Sequence, residues 1–573
     1  MKHLLPYFKK YRVQSILAPL FKMLEACFDL AVPLIVASII DNGIANGDKG
    51  YIVSRFFLLL LMALLGLLSS FTAQFFAAKA AIGTATGLRH ELLGKVQSLS
   101  FNELDKIGKS TLITRMTGDI NQVQNGVNMF LRLFMRSPFI VFGAAVLAFT
   151  VDKQLALIFV GIILVLFVAV FGMMKITKPL HKKVQQSLDR VTGETAESIN
   201  GVRVIRAFCR EEGKKESFRK VNADLLSRQL KVGRVSALLN PVTFVVVNTA
   251  IILVLYFGAE KTDKGLLFSG DIVALINYIG QILIELVKLA NLITLIARAI
   301  ASMERVGQLL DTESTMEYGN EAEGDENAPA VIFNNVSFTY GGAGAPSLSD
   351  ISFTVKKGET VGIIGGTGSG KSTLVHLITR FYDASEGEVL LKGKNIKTWQ
   401  KIALNNTVSL VPQKAMLFSG TVRSNLLWGN RETTEEEMWQ ALEKSQAKSF
   451  VLEKNGGLDA EIEEGGRNLS GGQRQRLTIA RALVSRADVL ILDDSASALD
   501  FATEAALRKA LRVLHGEKTV FIVSQRTSSI AHADKILVLD DGMLVGTGDH
   551  ESLLSSCEVY REIHESQFEK GVQ

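Results

Sequence analysis

The N-terminal half of the chain contains six long apolar stretches. They lie near residues 15–40, 56–82, 129–150, 154–177, 237–258 and 271–297. A membrane-crossing helix needs about 20 apolar residues, so each stretch is long enough to span a bilayer. The first is the least regular, because Lys22, Glu25 and Asp29 interrupt it. A soluble helical bundle is the alternative, but six stretches of this length favour an α-helical, six-span transmembrane domain over residues 1–303.

The positions of lysine and arginine indicate how these spans are oriented. Basic residues concentrate at the N-terminus and in the long intervals after the second and fourth spans. By the positive-inside rule, both termini and these two intervals are cytoplasmic, in a multi-pass protein of the cell membrane. The net charge of +5 then reflects topology and contact with the lipid bilayer. A nucleic-acid partner is disfavoured, because the C-terminal half has no basic stripe with interleaved aromatic residues.

Residues 304–330 have the composition of a linker. Asp311–Glu326 contains seven acidic residues and no basic residue, which is typical of a solvated segment. An acidic regulatory or metal-binding segment is the alternative, although nothing fixes a ligand geometry. From Val331 onward, short apolar strands alternate with helical patterns. This alternation predicts an α/β domain with a largely parallel sheet over residues 331–573.

A glycine-rich loop separates a predicted strand, Thr360–Ile364, from a predicted helix, Thr373–Arg380. The loop consists of Gly365, Gly366, Thr367, Gly368, Ser369, Gly370, Lys371 and Ser372. In such a loop the backbone N–H groups cradle phosphates, the lysine reaches the terminal phosphates and the hydroxyl joins Mg²⁺. The sequence therefore predicts that these residues, with Thr373 at the start of the helix, bind ATP and Mg²⁺.

A second glycine-containing run comes just before the predicted strand Val489–Asp493. It consists of Leu469, Ser470, Gly471, Gly472 and Gln473. The run opens a helical pattern over Arg474–Val484, so unobstructed N–H groups and a hydroxyl face any anion at that end. It resembles the signature sequence of the ATP-binding-cassette (ABC) proteins.

Further motifs of the ABC family occur in the same order along the chain. Tyr340 resembles the aromatic residue that stacks on adenine, Gln413 the Q-loop glutamine, Asp493 the Walker B aspartate, and Ser497-Ala498-Leu499-Asp500 the D-loop. The resemblance implies that Mg²⁺ is held by Ser372, Gln413 and Asp493, partly through water. It also implies that the signature run of one copy completes the ATP site of a second, facing half-transporter.

Two positions depart from the pattern of hydrolysis-competent family members. After Asp493 the family has a glutamate that polarises the attacking water, whereas this chain has the shorter Asp494. Because a displacement of about 1 Å can cost on the order of a hundredfold in rate, we expect Asp494 to be a poor base. After the predicted strand Val520–Val523, the family's switch histidine is replaced by Gln525, which cannot carry an imidazolium charge. These differences predict a slow ATP site.

The two long cytoplasmic intervals resemble the parts of ABC exporters that touch the nucleotide domain. Phe101–Thr111 and Asn200–Glu212 are predicted to form short coupling helices below the membrane. Polar loops are the alternative, but unstructured loops of this length are uncommon in compact proteins. ABC importers generally keep their membrane parts on separate chains, so the fused order favours export.

Polar residues recur along one face of the last predicted span. They are Asn277, Gln281, Glu285, Lys288 and Asn291, spaced three or four residues apart. Such residues are costly against lipid and usually face an aqueous path or the interior of a helical bundle. We expect a cavity-lining stripe for a small-molecule substrate, with helix-locking pairs as the alternative.

The sequence is compatible with three functions. The departures at Asp494 and Gln525, with an intact signature run, resemble the degenerate-site half of a bacterial heterodimeric multidrug ABC exporter. Such a chain would export drugs or amphipathic compounds together with a partner subunit that supplies the catalytic glutamate and histidine. The alternatives are an ATP-gated sensor or regulatory subunit and a homodimeric lipid or peptide exporter in which Asp494 suffices.

Overall fold

The computed structural model describes residues 2–495 and 499–568, which divide into two units. The first covers the described residues up to Gln97 and Ser110–Thr312. The second covers Ser98–Lys109 and the described residues from Glu313 onward. The short segment Ser98–Lys109 therefore belongs with the second unit, although its neighbours in sequence on both sides belong with the first.

The first unit is helical throughout its spans. Its helices are α1 (Leu5–Lys10), α2 (Arg12–Ser38), α3 (Lys49–Ser98), α5 (Lys109–Thr114), α6 (Ile120–Leu133), α7 (Arg136–Val151), α8 (Lys153–Asn200), α9 (Val202–Ala207), α10 (Glu211–Ala237), α11 (Leu239–Asp263) and α12 (Ser269–Leu310). The number α4 is kept for a helix of the second unit. Helix α4 is Phe101–Ile107, and single π-helical segments occur at Ile39–Ile44 and Arg115–Asp119. Among the described residues, six helical stretches are long and apolar enough to cross a membrane. The predicted number of spans is confirmed.

Small residues let these helices approach closely. A Cβ atom at Gly126 of α6 would lie 2.2 Å from the Cβ of Ala299 in α12, and one at Gly143 of α7 would lie 2.6 Å from Leu30 of α2. Without a hydrophobic driving force between helices in lipid, such close packing is a main source of association. The helix α12 continues to Leu310, past the predicted start of the linker.

The second unit is an α/β domain, as predicted. Its strands are β1 (Val331–Phe338), β2 (Leu348–Val355), β3 (Thr360–Gly365), β4 (Glu386–Leu391), β5 (Lys394–Asn395), β6 (Val408–Val411), β7 (Gly420–Thr421), β8 (Glu461–Ile462), β9 (Val489–Asp493), β10 (Thr519–Val523), β11 (Lys535–Asp540) and β12 (Met543–Gly548). Its helices after α4 are α13 (Lys371–Ile378), α14 (Lys401–Thr407), α15 (Val422–Leu426), α16 (Glu435–Lys444), α17 (Lys448–Glu453), α18 (Gly471–Val484), α19 (Phe501–Arg512), α20 (Thr527–Ile530), α21 (His550–Ser556) and α22 (Glu558–Phe568).

The strand order determines where chemistry can occur. The main sheet has the order β12-β11-β3-β10-β9-β6, and β11, β3, β10, β9 and β6 run parallel. Every residue of β9 is buried, as expected for a strand covered on both faces. Because β3, β10 and β9 are neighbours, the loops after their carboxyl ends meet at one edge of the sheet. The glycine-rich loop, Gln525 and Asp494 all follow these strands.

The acidic stretch before β1 makes defined contacts within the second unit. Glu321 pairs with Lys394, and Glu326 pairs with both Lys357 and Lys392. These two ammonium groups lower the pKa of Glu326 to about 2. The segment that we expected to be a solvated linker is thus tied by ion pairs to the sheet that contains β1 and β4.

Candidate nucleotide site

The glycine-rich loop turns directly from β3 into α13. Gly368 and Gly370 have φ values of +88° and +93°, a region that residues with a Cβ rarely adopt. A Cβ atom at Gly365 would lie 2.0 Å from the carbonyl oxygen of Leu539 in β11. Glycine is therefore required in this loop for backbone conformation and for close packing. The loop leads directly into the N-terminus of α13, the end of a helix that attracts anions.

Lys371 opens α13 and folds back over the loop. Its Nζ donates to the carbonyl oxygens of Gly365 at 3.0 Å and Gly366 at 2.6 Å. Burial lowers the pKa of Lys371, while the neighbouring carboxylates of Asp494 and Asp493 act in the opposite direction. The ammonium group therefore lies between the phosphate-binding loop and two acidic residues.

Ser372 and Asp493 form a pair of oxygen groups suited to Mg²⁺. The Ser372 hydroxyl donates to Oδ1 of Asp493 at 3.2 Å. Burial raises the pKa of Asp493, as does the charge of Asp494, whereas the Ser372 hydrogen bond and Lys371 lower it. A hydroxyl and a carboxylate side by side match the hard oxygen ligands that Mg²⁺ prefers. Gln413 lies beside them, and its Nε2 donates to Oδ2 of Asp494 at 3.2 Å.

Asp494 and Gln525 face the same cavity as the loop. The cavity has a volume of about 280 Å³ and is lined by Ser347, Thr367, Gly368, Gly370, Lys371, Ser372, Thr373, Gln413, Asp493, Asp494, Val523, Ser524 and Gln525. Asp494 has a φ of +45°, and its N–H donates to the carbonyl of Val523 at the end of β10 at 3.1 Å. The glycine-rich loop, Gln413, Asp493, Asp494 and Gln525 thus converge in space. Sequence reasoning missed Ser347, which belongs to no motif.

Tyr340 lies within an aromatic cluster of the second unit. Its ring packs edge-on against Phe338 and Tyr382, with centroid distances of 4.8 and 5.1 Å. Its hydroxyl lies 3.2 Å from the Thr373 hydroxyl at the start of α13. The ring is partly buried and is anchored next to the phosphate-binding helix. Its predicted role as the adenine platform stays a prediction.

The signature run forms the N-terminus of α18 and does not line this cavity. The hydroxyl of Ser470 accepts from the N–H of Gln473 at 3.2 Å, and Oε1 of Gln473 accepts from the N–H of Ser470 at 3.0 Å. This capping box fixes the start of the helix. Ser470 and Gly471 are exposed, and a Cβ atom at Gly471 would have no neighbour within 4 Å. Gly472 follows in the first turn, so the N-terminus of α18 presents an open surface.

Part of the predicted D-loop lies outside the described residues. Ser497 and Ala498 belong to the gap, whereas Leu499 and Asp500 are described. The Asp500 carboxylate caps α19 by accepting from the N–H of Thr503 at 2.9 Å.

The polar stripe on α12 does not form one uniform surface. Asn277 and Asn291 are exposed, whereas Glu285 is only 3% exposed. The carboxylate of Glu285 accepts from Arg136 at 2.5 Å, from the Ser137 hydroxyl at 2.7 Å and from Lys288 at 2.9 Å. For Glu285 these contacts match the helix-locking alternative, because they join α12 to α7 within the membrane-spanning region.

The same network extends to α2. Arg136 also donates to Asp29 at 2.8 Å, and Nε2 of Gln281 donates to the Asp29 carbonyl oxygen at 3.2 Å. Lys22 pairs with Glu25 one turn earlier at 2.5 Å. Charges inside a membrane are costly unless they pair, so this network explains how α2 tolerates three charged residues. The sequence shows that these charged residues interrupt the first apolar stretch, but the partner of each one depends on which helices are neighbours.

The first predicted coupling segment contains α4, which packs within the second unit. Phe101 lies 4.5 Å from Phe381 between ring centroids, and Asp105 accepts from the Tyr382 hydroxyl at 2.5 Å. Burial and the hydrogen bond to Asp105 raise the pKa of Tyr382. The second predicted coupling segment contains α9, whose Val204 is exposed.

The chain matches known proteins along nearly its whole length. Residues 15–286 match the family described as the ABC transporter transmembrane region, and residues 348–497 match the family described as ABC transporter. An uncharacterized ABC transporter ATP-binding protein of Mycobacterium tuberculosis is 34% identical over 98% of this chain and 97% of its own length. A similar uncharacterized protein of Bacillus subtilis is 33% identical over 99% of both chains.

More distant relatives have named activities or solved structures. The ATP-dependent lipid A-core flippase of Escherichia coli K12 is 29% identical over 99% of this chain and 97% of its own length. A solved structure of a bacterial Atm1-family ABC exporter with ATP bound has a TM-score of 0.80 at 23% identity and covers 99% of both chains. The second comparison establishes the likeness of fold.

Proposed function

The chain belongs to the ABC transporter family and is an ATP-hydrolysing, multi-pass membrane exporter with a cytoplasmic nucleotide-binding domain, and we propose that it works as one half of a heterodimer. In this proposal its own ATP site is slow, and its signature run completes the catalytic site of a partner half-transporter. The exported substrates are small amphipathic molecules. The observation that carries the proposal is the presence of Asp494 and Gln525 in a cavity that the exposed Ser470–Gly471 surface does not line.

The proposed roles follow from the chemistry of the cavity. The loop N–H groups and Lys371 bind the phosphates of ATP, and Tyr340 supports the adenine ring. Ser372 and Asp493, with Gln413 beside them, would hold Mg²⁺, which neutralises charge on the phosphates. Asp494 reaches less far than a glutamate toward an attacking water, and Gln525 hydrogen-bonds the γ-phosphate without adding charge.

The exposed signature surface has a different role. The hydroxyl of Ser470 and the free N–H groups at the start of α18 are suited to the γ-phosphate of a facing subunit. Because this run is intact, the chain retains what a partner's site requires even though its own site lacks a strong base. ATP bound by this chain would keep the dimer associated while the partner's site hydrolyses and resets the transporter.

A homodimeric lipid exporter is the second candidate. The full-length similarity to lipid A-core flippases supports it, since those relatives match the chain over both domains. In that case two copies of Asp494 would provide all the catalysis. The two candidates differ in the activity of the purified chain alone.

The test compares the chain alone with the chain co-purified with an ABC half-transporter that carries the catalytic glutamate and the switch histidine. Both preparations are placed in lipid nanodiscs, and Mg²⁺–ATP binding and steady-state hydrolysis are measured separately. We expect the lone chain to bind ATP and hydrolyse it slowly, and hydrolysis and dye export to appear only with the partner. Fast hydrolysis by the lone chain would refute the heterodimer and support the homodimer. Binding without turnover in both preparations would instead indicate a sensor.

A further inference from the structure

The last described helix, α22, binds the loop that carries Gln525. The side-chain amide of Gln567 in α22 makes three hydrogen bonds to this loop. Its Nε2 donates to the carbonyl oxygen of Gln525 at 2.8 Å. Its Oε1 accepts from the N–H of Thr527 at 3.0 Å and from the Thr527 hydroxyl at 3.1 Å. One side chain therefore binds the backbone on both sides of Arg526.

The orientation of this amide is determined by its partners. A carbonyl oxygen requires a donor and a backbone N–H requires an acceptor, so Nε2 must face Gln525 and Oε1 must face Thr527. The Nδ1 atom of His564, one turn earlier in α22, lies 3.1 Å from the Thr527 hydroxyl. Since that hydroxyl donates to Gln567, the imidazole acts as donor to it.

The opposite side of the loop is held by α19. The carboxylate of Glu504, which is 4% exposed, accepts from Arg526 at 3.1 Å and from the Ser529 hydroxyl at 2.5 Å. The N–H of Arg526 donates to the Ser524 hydroxyl at 2.9 Å. The side chains at positions 526 and 529 are thus fixed independently of α22. The carbonyl of Gln525 is the part of the loop that Gln567 holds.

We propose that Gln567 is a positioning residue that fixes the peptide of Gln525 and thereby the direction in which the Gln525 side chain enters the nucleotide cavity. Gln525 lines that cavity, and rotation of its carbonyl would change the path of its side chain. Gln567 itself does not touch the cavity, so it acts on nucleotide only through Gln525. The inference rests on the proposed use of Gln525 as a partner of the γ-phosphate.

The decisive variant is Gln567→Glu. A carboxylate keeps the acceptors for Thr527 but loses the donor to the Gln525 carbonyl, and it repels that carbonyl. The neighbouring Ser566→Ala is the matched control, because its exposed hydroxyl donates to the Ile563 carbonyl within α22 at 2.9 Å and, among the described residues, makes no hydrogen bond to the loop that carries Gln525. The readout is the rate at which the full-length chain in nanodiscs releases ATPγS in the presence of Mg²⁺, since this analogue separates retention from turnover.

We expect Gln567→Glu to accelerate release about three- to tenfold, the range for one lost hydrogen bond. Ser566→Ala should leave release unchanged. In a Gln525→Ala background, Gln567→Glu should have no further effect, because its route to the nucleotide is already removed. Unchanged release in the single variant, or an equal acceleration in the Gln525→Ala background, would overturn the proposal.

Thermal unfolding distinguishes loss of position from loss of fold. The Gln567→Glu variant should unfold within a few degrees of wild type, whereas general loosening of α22 would lower the unfolding temperature and accelerate release in both backgrounds. This test is independent of the heterodimer proposal. ATP hydrolysis by the lone chain tests the heterodimer, whereas the rate of ATPγS release tests the positioning role of Gln567.

Discussion

The charge network between α2, α7 and α12 gives a quantitative test of helix packing. Lys22, Arg136 and Lys288 contribute three positive charges, and Glu25, Asp29 and Glu285 contribute three negative charges. The network is therefore neutral. Replacing Arg136 with methionine keeps a long, flexible side chain but removes the positive charge, which leaves a net charge of −1 within the spans.

The expected cost follows from burial. Arg136 is 9% exposed and Glu285 is 3% exposed, and breaking a buried ion pair from one side typically costs about 3–5 kcal/mol. We expect Arg136→Met to lower the free energy of unfolding by about that amount. Lys288→Met should cost less than Arg136→Met, because the Lys288 side chain is 43% exposed whereas the Arg136 side chain is 10% exposed, and the interaction of an exposed charge is weaker. It is the matched control within the same network.

The double variant Arg136→Met, Glu285→Gln decides whether Glu285 locks helices together or lines the transport path. It restores neutrality, so it should be more stable than Arg136→Met alone even though it removes one more charged group. Unfolding is followed by thermal denaturation of the purified protein in detergent, and transport selectivity is measured in proteoliposomes. A double variant less stable than the single one would refute the network argument. Altered substrate preference without loss of stability would show that Glu285 lines the transport path instead.

The remaining predictions concern the ATP sites. In the heterodimer, Ser470→Arg should nearly abolish steady-state hydrolysis by blocking the partner's γ-phosphate, whereas Lys371→Ala should reduce it less; equal losses would contradict the division of labour. Asp494→Glu alone should raise turnover modestly at most, and Asp494→Glu with Gln525→His should raise it further, because base and charge are then both restored; a double variant no faster than wild type would argue against both roles. Tyr340→Ala should weaken ATP binding by about 1–3 kcal/mol, the usual value for a lost stacking platform, and unchanged affinity in a titration would exclude Tyr340 from that role.

Local patterns predicted the fold class and the nucleotide loop from sequence alone. The length of each apolar stretch suffices to predict a span, since the bilayer imposes the same thickness on every helix. The glycine-rich loop is equally local, because Gly368 and Gly370 adopt backbone conformations that other residues avoid. The resemblance to the ABC family assigned Asp494 and Gln525 to this site, and the structure brings them together because the parallel neighbouring strands β9 and β10 end at the same edge of the sheet.

Tertiary structure decided which groups are partners. Helical spacing placed Glu285 on a polar face, but it could not specify pairing with Arg136, a residue 149 positions away. Gln567 carries no motif, and its bond to the Gln525 carbonyl exists only because α22 packs beside the loop after β10. Periodicity determines the face on which a residue lies, whereas its partner depends on how separate elements pack. The sequence therefore determined the ATP-binding chemistry and the membrane spans, and the packing of distant elements determined which charges are neutralised and which loops are held in place.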